Sequence, residues 1–139
     1  MSVVLDTCVL VAAARSRHGA SNALMLLLPD RRIQPAVSVP LFVEYQATLL
    51  RGENLGGRSA RDVDDFLDYL LSFSHLQDIH YRWRPALADP DDDFVLELAV
   101  AASCRYIVTH NLRDFRGAEQ WGVEPIAPGN LLKHLEELM

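Results

Sequence analysis

The spacing of apolar residues changes several times along the chain, and each change marks an element. Residues 2–5, Ser-Val-Val-Leu, form a short β-branched run closed by Asp6 and Thr7, the pattern of a buried strand. Residues 9–14 then begin a helix that Asp6 or Thr7 can cap. A second helical stretch covers 20–28 and stops at Pro29, whose ring cannot continue it. Residues 36–39, Ala-Val-Ser-Val, again read as a strand; Pro40 follows at a good first helical position, and 41–50 carry that helix. The clearest periodicity spans 59–73. There Val63, Phe66, Leu67, Leu70 and Leu71 fall at i, i+3, i+4, i+7 and i+8, while Asp62, Asp64, Asp65 and Asp68 take the other faces. Ser59 with Asp62 resembles a capping box. Asp78 to Trp83 reads as extended. After three aspartates at 91–93, Phe94, Leu98 and Ala102 lie four apart on a helix that leads into a strand at 106–109. A last helix covers 131–138.

Strands alternating with helices predict an α/β fold, a parallel sheet covered by helices on both faces. In such open sheets, active sites gather beyond the carboxyl ends of the strands. The 139 residues suffice for one domain with one core, and residues 1–139 are read as that domain. The glycine-rich stretch at 52–57 reads as a connecting loop.

Composition narrows the function classes. Half the residues are hydrophobic and 23% are charged, which suits a compact globule rather than a disordered chain. The longest dense apolar run, at 23–28, is far short of a membrane span, and Asp6 interrupts any signal-peptide core. Cys8 and Cys104 form no CxxC pair and no metal-ligand spacing, so they read as thiols in a reducing, cytoplasmic compartment. The net charge of −6 counts against nucleic acid as a partner. Against that, Lys133 is the sole lysine, the other cations are arginines that fork onto phosphate, and clustered acids reverse their local field when a divalent ion binds. Arg15, Arg17, Arg113 and Arg116 flank the polar segments described next, as backbone-holding groups or as plain surface charge.

Four separated segments each bring a carboxylate. Asp6 and Thr7 follow the first strand. Glu44 lies one turn into the helix after the second. Asp91, Asp92 and Asp93 start the helix before the strand at 106–109, and Thr109, His110, Asn111 and Asp114 follow that strand. Asp6 alone equally suits a helix cap, and the three aspartates suit a helix N-terminus, an effect of about 0.3–1 kcal/mol each. Glu44 differs, because Leu41, Phe42 and Val43 precede it and Tyr45 follows. A charged side chain enters such surroundings when it is paired, for instance with an arginine, or when it coordinates a cation. Phosphodiester hydrolysis needs an activated water and a stabilised leaving oxyanion, and Mg²⁺ or Mn²⁺ supplies both. Such hard ions choose carboxylate oxygen over His or Cys. No P-loop and no GxGxxG sequence competes with this reading.

At these residues the chain resembles a known family. VVLDTCVL at 3–10 resembles the opening strand motif of PIN domains, and VPLFVEY at 39–45 resembles their second motif. DPDDDFVLELA at 89–99 resembles the third, in the form seen among VapC-like toxins of type II toxin–antitoxin systems; YIVTHNLRDF at 106–115 is similar to the fourth. The resemblance implies a three-layer α/β/α sandwich with a central, mainly parallel sheet of about five strands. It implies a ribonuclease using Mg²⁺, or Mn²⁺ as a substitute, with RNA as substrate, a cognate antitoxin as partner, and a homodimer. Carried over, Asp6, Glu44 and Asp93 are principal metal ligands and Asp114 is the fourth acid; Asp92 is the next candidate after Asp93. Thr7, Thr109 and Asn111 would position metal-bound water or the scissile phosphate. Many relatives have Asp where this chain has Asn111, which weakens the fourth corner and the case for a second ion. The same fold also serves RNA processing without an antitoxin, and inactive scaffolds that bind a protein, toward which Asn111 and the acidic composition lean.

Overall fold

The computed structural model describes residues 1–79 and 90–137. Five strands, β1 (Ser2–Leu5), β2 (Gln34–Val37), β3 (His75–Leu76), β4 (Tyr106–Val108) and β5 (Glu124–Ile126), form one sheet in the order β3-β2-β1-β4-β5. Every pairing is parallel. Parallel neighbours need long crossovers, and helices supply them. These are α1 (Thr7–Arg15), α2 (Ala20–Leu26), α3 (Val39–Leu49), α4 (Gly52–Leu55), α5 (Ala60–Ser72) and α6 (Pro90–Ala101); 3₁₀ turns join β4 to β5, and α7 (Pro128–Glu137) follows the last strand. The result is a three-layer α/β/α sandwich. Val3, Val4 and Leu5 of the central strand have no solvent exposure, and Leu10, Leu24, Leu41, Leu67, Leu96 and Leu131 bring the helices onto that core.

The strand order reverses at β1, which leads to β2 on one side and lies against β4 on the other. A crevice therefore opens at the carboxyl ends of β1 and β4, the usual ligand position in open α/β sheets. The register pairs Leu5 with Val108, so Asp6 and Thr109 emerge side by side. Asp6 extends the ladder by one bond, its N–H donating to the Val108 carbonyl at 2.9 Å.

Local chemistry explains where the helices begin. Ser38 caps α3 by accepting from the Leu41 N–H at 3.3 Å, with Pro40 in the first turn. This cap ends β2 at Val37, so the strand expected at 36–39 lies two residues earlier. The capping box at Ser59 and Asp62 is formed in both directions, and α5 buries Val63, Leu67 and Leu70. The second helix stops at Leu26, and Pro29 falls in a 3₁₀ turn, Leu28–Asp30. The helix after the aspartates begins earlier than its apolar spacing suggests, at Pro90, and so takes residues 91–93 into its first turn.

Two expectations are corrected, and one strand is added. Of the segment expected to be extended at Asp78–Trp83, Asp78 and Ile79 belong to no strand; the described strand is His75–Leu76, paired with Ala36 and Val37. Residues 80–83 lie outside the described residues. The glycine-rich stretch at 52–57 is not loop throughout; it holds the single turn α4, closed by Gly56 in the left-handed region at φ 54°. Finally, β5 was not expected from the sequence.

Candidate active site

Two strand ends and four helices, α1, α3, α4 and α6, converge on a cavity of about 700 Å³ at the carboxyl edge of the sheet. Asp6, Thr7, Glu44, Asp92, Asn111 and Asp114 are on its wall. Asp6 is the N-cap of α1, with Oδ1 accepting from the Thr7 N–H at 2.9 Å. Its other oxygen, Oδ2, accepts from the Thr109 hydroxyl at 2.8 Å. Oδ2 also accepts from the Cys8 thiol at 3.5 Å. The cap reading and the site reading of Asp6 are compatible: the cap bond fixes the direction of the carboxylate, and a further lone pair remains on Oδ1.

Glu44 is tied to the same corner through Thr7, whose hydroxyl donates to Glu44 Oε2. Among the described residues it forms no ion pair, so the arginine alternative for this half-buried acid is not what the fold adopts. The next residue fixes its helix. Tyr45 is fully buried, and its hydroxyl donates to the carbonyl of Leu5, the residue before Asp6. Burial, then the charges of Asp6 and Glu44, push the Tyr45 phenol well above its usual range, keeping it a donor.

Thr109 is closed off from solvent and acts within the wall. Its hydroxyl donates to Asp6 and accepts from the Asn111 N–H at 3.0 Å, which turns the chain after β4 toward the cavity. Asn111 and Asp114 are exposed on that wall, Asp114 within the 3₁₀ turn Leu112–Phe115. Cys8 also faces the cavity; burial, then the Asp6 charge, push its thiol up, so it stays neutral rather than serving as a soft anionic ligand.

The first turn of α6 divides the remaining candidates. Asp92 is on the cavity wall, whereas Asp93 is buried at 6% exposure and is not among the wall residues. Both engage in further interactions. Glu97, one turn beyond Asp93 and also buried, was missed in the sequence. Its setting among Val95, Leu96, Leu98 and Ala99 is the same signal that singled out Glu44. Other wall residues that sequence reasoning did not single out are Thr48 of α3, Asn54 of α4 and Arg51, which caps α4.

Comparison with known proteins agrees with this architecture. The family profile described as the PIN domain matches residues 2–113. Among curated proteins, none matches the sequence. Among solved structures, the chain is similar to one in the crystal structure of VapBC2 from Rickettsia felis bound to a DNA fragment from their promoter. The TM-score is 0.61 and the identity 18%, over 90% of this chain and 98% of that one. At that identity the likeness is one of fold. The matched segment includes Asp6, Glu44, Asp92, Asp93 and Asn111 and stops one residue short of Asp114. The chain thus belongs to the PIN domain family, whose members are generally nucleases.

Proposed function

We propose that this protein is a divalent-metal-dependent endoribonuclease, acting as the toxin of a type II toxin–antitoxin pair. One observation carries the reading: Asp6 and Glu44, from segments far apart in sequence, are each oriented by a threonine hydroxyl on the wall of one cavity that Asp92 and Asp114 also line. The donor set fits Mg²⁺ or Mn²⁺, because it is made of hard oxygens. Among the described residues no three His, Cys, Asp or Glu side chains are gathered closely enough to hold an ion between them. Mg²⁺ needs only one or two carboxylates and keeps several of its waters. Asp6, Glu44 and Asp114 would hold the ion together with an aspartate of α6. Asp93 fills that place by the family resemblance, and Asp92 by its position on the wall.

When bound, the ion supplies an activated water and charge stabilisation for the leaving oxygen. The chain's own groups supply positioning. Thr7 and Thr109 hold the two carboxylates in orientation, and the Asn111 amide can donate to a phosphate oxygen at the mouth. We read residues 1–139 as one such domain, working in the cytoplasm as a homodimer that a cognate antitoxin occludes. The VapBC2 likeness supports the antitoxin, and among the described residues no helix is long and apolar enough to cross a membrane.

The test is RNA cleavage in Mg²⁺ or Mn²⁺ by wild type and Asp6→Asn. Asn retains the helix cap, so the variant should fold while losing activity by about a hundredfold or more. Equal cleavage by both proteins would place the activity elsewhere. Expression should arrest growth, and a small neighbouring protein should relieve it.

A further inference from the structure

The cavity wall facing the acids carries two guanidinium groups, Arg15 at the end of α1 and Arg51 ahead of α4. Arg15 is held in place by neutral partners. Its Nη2 donates to Asn54 Oδ1 at 2.6 Å and to the Glu53 carbonyl at 3.4 Å. Asn54 is itself buried and anchored, its Nδ2 donating to the Thr48 carbonyl at 2.8 Å. No carboxylate among the described residues pairs with Arg15, although four line the same cavity. One nitrogen of the fork is thus engaged, and Nε and Nη1 remain for an anion. A purely structural tie between α1 and α4 would need no charge, and a positive charge kept un-neutralised beside an acidic cavity calls for an anionic visitor.

We propose that Arg15, aimed by Asn54 and assisted by Arg51, receives a phosphate of the RNA backbone next to the one cleaved. Arg15 is then a substrate-binding residue and Asn54 a positioning residue. The inference rests on the nuclease reading and deepens it. It explains how a chain of net charge −6 can accept RNA at all: the basic contact is placed on the cavity wall rather than spread over the surface.

The experiment measures binding of a short fluorescein-labelled single-stranded RNA of mixed sequence by anisotropy, in Mg²⁺, across a salt series. Asp6→Asn serves as the background so that the RNA stays whole. Adding Arg15→Gln should weaken binding by about tenfold and flatten the dependence of log affinity on log salt by about 0.7. Arg15→Lys should restore the salt slope but not the full affinity, since the fork is lost. Asn54→Ala should weaken binding while leaving the slope nearly intact, with a urea unfolding midpoint close to that of the Asp6→Asn background, which separates positioning from mere loss of stability. Unchanged affinity and slope in the Arg15→Gln protein, with RNA binding otherwise present, would overturn the inference and leave the nuclease reading standing. Absence of RNA binding by the Asp6→Asn protein, together with absence of RNA cleavage by wild type in Mg²⁺ or Mn²⁺, would remove the nuclease reading and Arg15's role with it.

Discussion

Tyr45 shows how a single side chain registers two elements. Its hydroxyl ties α3 to the last carbonyl of β1, and the residues on either side of that tie, Glu44 and Asp6, are the two acids that Thr7 links. Tyr45→Phe keeps the ring packing and removes one buried hydrogen bond, so urea unfolding at neutral pH should show a loss of about 1 kcal/mol. RNA cleavage should fall as well, because the helix carrying Glu44 loses its stop against the strand. The pH dependence has a definite sign. A phenol whose ionisation is pushed above 10.0 in the fold contributes stability that is complete below 10.0 and is lost as pH rises beyond it. The Phe variant should therefore show a shallower alkaline fall than wild type. At this scale Glu44 was legible because charge in an apolar run is rare. The choice between Asp92 and Asp93 was not. Neighbours on a helix point about 100° apart, and only the packing of α6 decides which faces the cavity.

Among the elements, those with strong local signals were readable, and those held only by partners were not. α5 has both a complete capping box and an uninterrupted apolar stripe, so pattern and chemistry agree. Ser59→Ala should lower stability by roughly 1 kcal/mol in thermal or urea unfolding. Cleavage per folded molecule should be unchanged, since α5 places no residue on the site cavity. A matching loss of activity in the folded fraction would mean that α5 governs the site. β5 escaped because Glu124-Pro125-Ile126 has one strong strand former and a proline. Its existence depends on β4 beside it, where Thr109 N–H donates to the Ile126 carbonyl at 2.9 Å. β3, two residues long, likewise has no periodicity to detect. The Arg15–Asn54 contact spans 39 positions, and no local pattern announces it.

The whole molecule resolves the conflict between its charge and its proposed substrate. Sheet order brings β1 and β4 together, the strand ends deliver Asp6 and Thr109, α3 after β2 adds Glu44, and α6 before β4 adds Asp92. An acidic mouth of this kind repels RNA until a cation occupies it, after which the arginines opposite become the second electrostatic contact. Metal binding is the step on which both depend. A crystal soaked in Mn²⁺ tests it most directly through the anomalous signal of the ion. The account predicts a peak in the cavity within coordination distance of Asp6, with Glu44, Asp114 or an α6 aspartate completing the site directly or through water. A well-soaked crystal with no peak there, or with Mn²⁺ only at acids elsewhere on the surface, would contradict it.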